Sequence, residues 1–307
     1  MAQPQLSNAD FNPLHIDHAE SEKIVGKSTS YWKDAWRRFR KNKLALIGIL
    51  VLIMLGAMAI FGAEISGKNY KDTDLMSTNL TPSAEHWFGT DNIGRDIFAR
   101  TWDGARISLF IGLMAAFLDL IIGIIWGAIA GYFGGKVDEY MMRFADILSG
   151  LPYLLVVILL MVLMGQGIWT MIIAMVFTGW INMARIVRGQ VMQLRSEEYV
   201  LASRSLGASN SRIMFRHLIP NTLGPILVTL TLTVPSAIFT EAFLSFLGLG
   251  VPVPHSSWGV MTNDALSAFQ YYPYQLFFPA FFICLTMLAF NVIGDGLRDA
   301  LDPKERK

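Results

Sequence analysis

Two carboxylates, Asp119 and Glu241, stand inside long apolar stretches of the sequence. An ionised acid in hydrocarbon is costly, so each either lines a path for a polar solute or is paired or protonated inside a helix bundle. Both readings stay open for both residues. A third concentration of chemistry is the polar, basic segment 195–220, RSEEYVLASRSLGASNSRIMFRHLIP, in which Gly207 is followed thirteen residues later by Pro220. A fourth is EHWFGTDNIGRDIFAR, from Glu85 to Arg100, where acids, arginines and aromatics mix. That composition suits a solvated cap or a surface that receives a partner.

None of these is a catalytic pattern. A Walker A loop needs two glycines at fixed spacing and a hydroxyl residue after the lysine to reach magnesium. The nearest match, Gly134-Gly135-Lys136-Val137, lacks the first glycine and the hydroxyl. There is no H-E-x-x-H, no G-x-S-x-G and no Cys/His cluster at metal-ligand spacing. The chain is therefore expected to be no enzyme and to hold no cofactor or metal. Any ATP and Mg that energise it belong on another subunit.

The elements that must position these residues are membrane helices. Hydrophobic residues make up 53% of the 307 and charged ones 16%, against about 25% charged in a soluble domain. The apolar residues lie in runs long enough to cross a bilayer, which takes about 20 helical residues. Leu44 to Ala63 is the first span and Ile107 to Tyr132 the second. From Ile147 to Ala184 no charge occurs over 38 residues, nearly twice what one span needs, so two helices are expected with the turn at Gly165-Gln166-Gly167. The fifth span starts near Leu218, and the sixth covers Pro273 to Leu297. The expected fold is an all-α membrane protein of six transmembrane helices.

Lys and Arg close to spans are retained on the cytoplasmic side. Of 25 such residues, 20 fall in segments that share one side, and the other five, Lys68, Lys71, Arg95, Arg100 and Arg106, sit in one loop, 64–106, with seven acids. Both termini and the loop 185–217 are thus expected in the cytoplasm, with 64–106 outside. The same topology accounts for the basic residues, so no nucleic-acid partner is expected. The division is a tail over 1–43, a six-helix transmembrane domain over 44–300 and a tail over 301–307.

Within the tail, residues 1–29 lack any apolar period. Trp32, Trp36 and Phe39 then recur at helical spacing among Lys33, Arg37, Arg38, Arg40, Lys41 and Lys43. A helix along the inner interface follows, with aromatic rings at headgroup level and cations toward anionic lipid, and a docking site for a partner is the alternative. No cleavable leader precedes it, so the first apolar segment reads as a retained span. Cys284, the lone cysteine, is expected to be a small buried residue of span six. Gly123, Gly127, Gly131 and Gly135 recur every four residues and mark a face for close helix packing, against this chain or a second subunit. Around the polar loop, a short helix over Glu197–Leu206, a sharp turn at Gly207 and a second helix over Ala208–Leu218 are expected, with Pro220 in the first turn of span five.

Segment 195–220 resembles the EAA loop of ABC importer permeases, which reads Glu-Ala-Ala, three residues, Gly, nine residues, Ile-x-Leu-Pro. Ala202, Gly207 and Pro220 fall in register, while Leu201, Ser203, His217 and Ile219 depart from it. Phe88-Gly89-Thr90-Asp91 with Gly94-Arg95-Asp96 resembles a stretch of the permeases for oligopeptides, dipeptides and nickel. So does TEAFLSFLGLGVPVPHSSWGVM, from Thr240 to Met261. The likeness spans nearly everything from residue 30 onward and is closest to the C-type permease subunit of oligopeptide or dipeptide importers.

The resemblance implies a fold of the type I ABC importer permease kind in the bacterial cytoplasmic membrane. It implies a second, B-type permease, two ATPase subunits that bind ATP and Mg, and an extracytoplasmic substrate-binding protein. Tyr199, Ala202, Ser203, Arg204, Leu206, Gly207, Ala208 and Pro220 would form the element that meets an ATPase, with Arg204 available to pair with its acids. Phe88, Gly89, Asp91, Gly94, Arg95 and Asp96 would serve the outer face. Peptides would cross by alternating access. Nickel or glutathione is the alternative cargo within the same family, and a secondary transporter or a channel the alternative of another class. The six spans show no obvious internal repeat, which weighs against a secondary transporter built from inverted repeats.

Overall fold

The computed structural model describes residues 31–301, nearly all of them helical. The expected loose tail over 1–29 and residues 302–307 of the C-terminal tail lie outside the described residues. A first helix, α1 (Tyr31–Phe39), is held on itself by Asp34, which pairs with Arg38 and, at 2.7 Å, with Arg37. Trp32 and Trp36 stand exposed as an interfacial helix requires, but Phe39 does not join them: it is buried against Ala45 and Ala300. That ring anchors α1 to the bundle. Asn42 then caps α2 (Lys43–Ile65) by accepting from the amide of Ala45 at 3.1 Å.

The next helix, α3 (Ile97–Phe133), has 37 residues and starts ten before the expected Ile107. At 1.5 Å per residue it is ~55 Å long. A charge-free run was the wrong criterion for its start, because Arg100 and Asp103 are buried within it. Asp96 supplies the cap, accepting from the Ala99 amide at 2.8 Å.

The expected third span is broken. An amphipathic helix, α4 (Gly135–Ser149), and the apolar α5 (Tyr153–Met164) meet at a bend of 82°. Gly150-Leu151-Pro152 explains the break, since the residue before a proline is pushed out of the helical region and proline starts the next helix more readily than it continues the last. With 12 residues, α5 is ~18 Å long, shorter than the ~30 Å core. The turn at Gly165-Gln166-Gly167 is present, since α6 (Ile168–Leu194) follows it.

That helix runs ten residues past Ala184, so the polar loop begins near Arg195 rather than at 185. Arg185 and Arg188 do not end it because they have partners on α4: Arg185 donates to Asp146 at 2.8 Å, and Arg188 grips both carboxylate oxygens of Asp138 through Nε and Nη2. Two short helices, α7 (Glu198–Ser205) and α8 (Asn210–Ile213), lead through a π-helical turn at Met214–Leu218 into α9 (Ile219–Leu244), which has Pro220 in its first turn. A second π turn, Ser245–Leu249, leads to α10 (Trp258–Ala265), and α11 (Tyr274–Leu301) closes the bundle. Among the described residues five helical stretches are thus long and apolar enough to span, and there are six if the bent α4–α5 pair counts as one broken span.

The bundle centres on α3, whose most extensive neighbour is α6. Here the glycine face finds its partner within this chain. A Cβ on Gly123 would lie 2.6 Å from that of Met183, and one on Gly131 would lie 2.7 Å from the Arg188 carbonyl oxygen. Gly127 meets the Ala184 carbonyl the same way. Gly135 does not belong to this face: α3 ends at Phe133, and Gly135 opens α4 with no neighbour near its missing side chain. Cys284 is exposed, contrary to the buried place expected, because the packed side of α11 is taken by Phe282, Thr286 and Ala289.

Candidate functional site: a turn at one end, a charge network at the other and a polar cleft between

Within the polar loop, α7 stands on one buried side chain. Val200 of α7 is fully enclosed in a cluster with Ile213, Leu218, Val187 and Val191, while Tyr199, Leu201 and Leu206 are exposed. Leu206 is 88% exposed, and Ala202 also faces out. Gly207 has φ +80°, the left-handed turn that a residue with a side chain adopts only at a cost, and nothing lies within 4 Å of its absent Cβ. Arg204 is not free for a partner's acids alone: its guanidinium lies 5.5 Å from the centre of the Tyr132 ring. The Tyr132 hydroxyl in turn donates to Asn210 at 2.7 Å. Ser203 donates to the Tyr199 carbonyl at 2.8 Å, and Ala208 is half-buried beside the turn. Beside α7 a notch of about 450 Å³ is lined by Arg195, Ser196, Leu201 and Arg204 together with Tyr132, Phe133 and Asn210. A helix this short, 8 residues, gains little stability alone. Its position is set from beneath by Val200 and from the side by Tyr132.

At the opposite end Gly89, Asp91, Gly94 and Asp96 are buried and Phe88 and Arg95 half-buried, more than a solvated cap would require. Asp91 accepts from the Ile93 amide at 3.0 Å and the Arg95 amide at 2.9 Å through one oxygen. Through the other it accepts from Arg95 Nε at 2.7 Å and Arg100 Nη1 at 2.5 Å. Both arginines also reach Asp264 of α10, at 3.4 and 3.1 Å. Asp96 caps α3 and pairs with His86 Nδ1 at 2.8 Å. Phe88 stacks on Phe278 at 3.9 Å between centroids. Gly89 and Gly94 take φ +80° and +77°, with the Leu80 and Asp74 carbonyls where a side chain would go. Nearer the loop surface, the Ser77 hydroxyl and the Met76 amide donate to Asp74 and hold its carboxyl below the usual range.

Glu241 lies deeper on the same side and is wholly buried. Its oxygens accept from Ser108 of α3 and Ser245 of the π turn, both at 2.8 Å. Ser108 also accepts from the Trp258 amide at 3.1 Å. The acid thus ties α3, α9 and α10 together, which selects the buried-partner reading.

Asp119 does the opposite. It is buried in the middle of α3, yet its Oδ1 has no hydrogen-bond partner among the described residues, nor has the hydroxyl of Tyr153 nearby. Both residues line a cleft of about 520 Å³ walled by α3, α5, α6 and α9, with the two unpartnered oxygens just beneath its surface.

With this geometry in view, the chain was compared with known proteins. The family of binding-protein-dependent transport system inner membrane components matches residues 123–307, and the N-terminal transmembrane domain of oligopeptide transport permease C matches residues 30–82. The chain belongs to this family. It is a non-catalytic, multi-pass inner-membrane permease. The oligopeptide transport permease OppC of Bacillus subtilis is 62% identical over 297 residues, 97% of each chain. The dipeptide transport permease DppC of the same organism is 58% identical over 289 residues, 94% of this chain and 90% of that one. The OppC of Haemophilus influenzae is 46% identical over 301 residues. Among solved structures, the methionine ABC transporter MetNI in an inward-facing conformation aligns with a TM-score of 0.52 at 16% identity, over 65% of this chain and 94% of that one. The shared fold is thus that of ABC importer permeases.

Several residues central to this permease escaped sequence reasoning. Arg100 and Asp264 complete the charge network, but they are 164 positions apart. Ser108 and Ser245 had no feature to distinguish them from any serine in a helix. The hydroxyl row on α9, Thr229, Thr233, Ser236 and Thr240, did carry a signal: its spacing of three or four places it on one face of an apolar helix.

Proposed function

We propose that this permease carries peptides inward as one subunit of an ATP-driven importer, with α7 as the element through which separate ATPase subunits move it. The observation that carries the coupling half is the α7–Gly207 turn. It presents Tyr199, Leu201 and Leu206 to the open on a helix fixed by a single internal anchor. Apolar side chains standing clear of a membrane bundle mark a protein contact. The basic notch beside them offers Arg195 and Arg204 to acidic side chains of the partner. The cargo half rests on the names of the relatives, which are oligopeptide and dipeptide permeases. Those names favour peptides over nickel or glutathione.

In this reading a B-type permease, two ATPases holding ATP and Mg, and an extracytoplasmic binding protein complete the assembly. Exposed apolar side chains along α2 and α11 are covered by lipid or by the second permease. The cation distribution supports a cytoplasmic position for both termini and α7 and an outer one for the charge network. ATP closes the motor subunits, α7 moves with them, and the bundle rocks between inward-open and outward-open forms.

The test is reconstitution of the purified assembly in liposomes with ATP and peptides of graded length. Uptake that needs ATP and the binding protein is expected, and uptake by the chain alone would overturn the reading. Orientation is checked separately in a Cys284→Ser background. A cysteine replacing the exposed Met76 should react with an impermeant reagent from outside, and one replacing Leu206 should react only from inside. The reverse pattern would invert the topology.

A further inference from the structure

We propose that Asp119 is the docking point for the N-terminal ammonium of a peptide in transit, in a cleft whose α9 wall offers hydrogen-bond acceptors. The inference rests on the peptide reading above. Its starting point is the contrast between the two intramembrane acids. Glu241 has both oxygens satisfied by serine hydroxyls. Asp119 is 6% exposed, and its Oδ1 has no partner among the described residues. Leaving a buried polar group unpaired costs ~1–3 kcal/mol, and more for a charge. Such a group is kept where something outside the chain satisfies it. Tyr153, whose hydroxyl is likewise buried without a partner among the described residues, lines the same cleft.

The α9 wall sharpens the chemistry. Thr229 donates to the Pro225 carbonyl at 2.8 Å, Thr233 to Thr229 at 2.9 Å, Ser236 to Leu232 at 3.1 Å and Thr240 to Ser236 at 2.8 Å. A hydroxyl has one proton and two acceptor lone pairs. With each proton committed to the helix, lone pairs are what these four residues have left to offer. No Lys, Arg or His lines the cleft among the described residues. A ligand lying along α9 must therefore bring donors and, for Asp119, a positive charge, while Tyr153, Thr178 and Asn182 on the other walls can donate to its carbonyls. The ammonium of a peptide supplies three donors and the charge, and its amide N–H groups supply further donors along α9. The peptide's carboxylate finds no cation here, so the amino end is the one held. At about 520 Å³, the cleft has the size of sites for small ligands, ~300–1,000 Å³. Gly179 of α6 keeps the acid in place from behind, since a Cβ there would lie 2.7 Å from Asp119 Oδ1.

The test uses the purified importer with its partner subunits, binding trialanine or N-acetyl-trialanine by calorimetry without the binding protein, alongside ATP-driven uptake of trialanine in proteoliposomes. Wild type should bind trialanine at least tenfold more tightly than the acetylated form. Asp119→Asn should erase that preference, and Asp119→Glu should restore part of it. Gly179→Ala, which keeps the charge but displaces the carboxylate, should shrink the preference, and it carries the test if Asp119→Asn does not assemble. An undiminished preference in Asp119→Asn or Gly179→Ala overturns the proposal. So does a wild type that imports trialanine but binds both forms alike, and then the peptide reading survives. A wild type that neither binds nor imports any peptide overturns both.

Discussion

At the end of the bundle that carries residues 66–96, charge is buried and paired. At the α7 end, apolar side chains stand in the open. Asp91, Arg95, Arg100 and Asp264 form one closed network there, and Asp96, His86 and Glu241 are each satisfied within the chain. Around α7 one residue, Val200, goes inward while Tyr199, Leu201 and Leu206 do not. The charge network of the first end closes within the chain, although Asp103 Oδ2 and Trp102 Nε1 beside it have no hydrogen-bond partner among the described residues and Leu75 and Met76 stand exposed, whereas the α7 turn is finished by something else. In the first region a substitution acts on the chain's own stability. In the second it acts on assembly and leaves the fold alone.

The sharpest break of this contrast is at Asp91. Asp91→Ala strands Arg100, whose side chain is 4% exposed, with only the more distant Asp264. Removing one partner of a buried pair costs ~3–5 kcal/mol. The expected outcome is loss of the folded chain from the membrane, or a large fall in melting temperature in detergent. An unchanged melting temperature would show that the network is not structural. Next comes Glu241→Ala, which leaves the Ser108 and Ser245 hydroxyls without their acceptor. The expected loss is ~1–3 kcal/mol, read by the same thermal assay, with Glu241→Gln milder because its amide oxygen still accepts. A Gln variant as damaging as Ala would mean that the charge, rather than the hydrogen bonds, matters there.

How far these regions could be read from the sequence depends on the distance over which their causes act. Gly207, Gly165-Gln166-Gly167 and Pro220 work within a few residues of themselves, and the turns and the helix start they mark lie where they were expected. The start of α3 did not, because Arg100 and Asp103 look like loop residues until Asp264 and the rest of the far end are brought against them. The bend before α5 was announced by Pro152, but the absence of charge over 147–184 hid it. The glycine face at 123, 127 and 131 announced close packing, yet only the fold names α6 as its partner. Asp119 and Glu241 read alike in the sequence. What separates them is a pair of serines, one of them 133 residues from Glu241.

A smaller effect is expected at Gly207. Its left-handed backbone costs a residue with a Cβ ~1–2 kcal/mol, but nothing nearby would clash. Gly207→Ala should therefore fold, insert and melt almost as wild type, while shifting α7 enough to weaken ATPase retention in a pull-down. If retention is unchanged, the turn tolerates a side chain and its geometry is not what the partner reads.

The smallest effect on the chain itself, and the cleanest test of the contrast, is at Leu206 and Ala202. Both side chains face away from the bundle, and exposed substitutions usually change stability by no more than ~0.5 kcal/mol. Leu206→Asp and Ala202→Asp should accordingly leave insertion and melting temperature unchanged. In an assembled importer, however, each would bury an unpaired carboxylate in the contact with the ATPase, where desolvation is costly. Loss of ATPase subunits on purification, together with loss of peptide uptake, is then expected from chains that are otherwise intact. Wild-type retention and uptake in both variants would place the coupling contact elsewhere, and the exposed leucine would need another occupant. A fall in melting temperature in the isolated chain would show instead that this end, like the other, is held together from within.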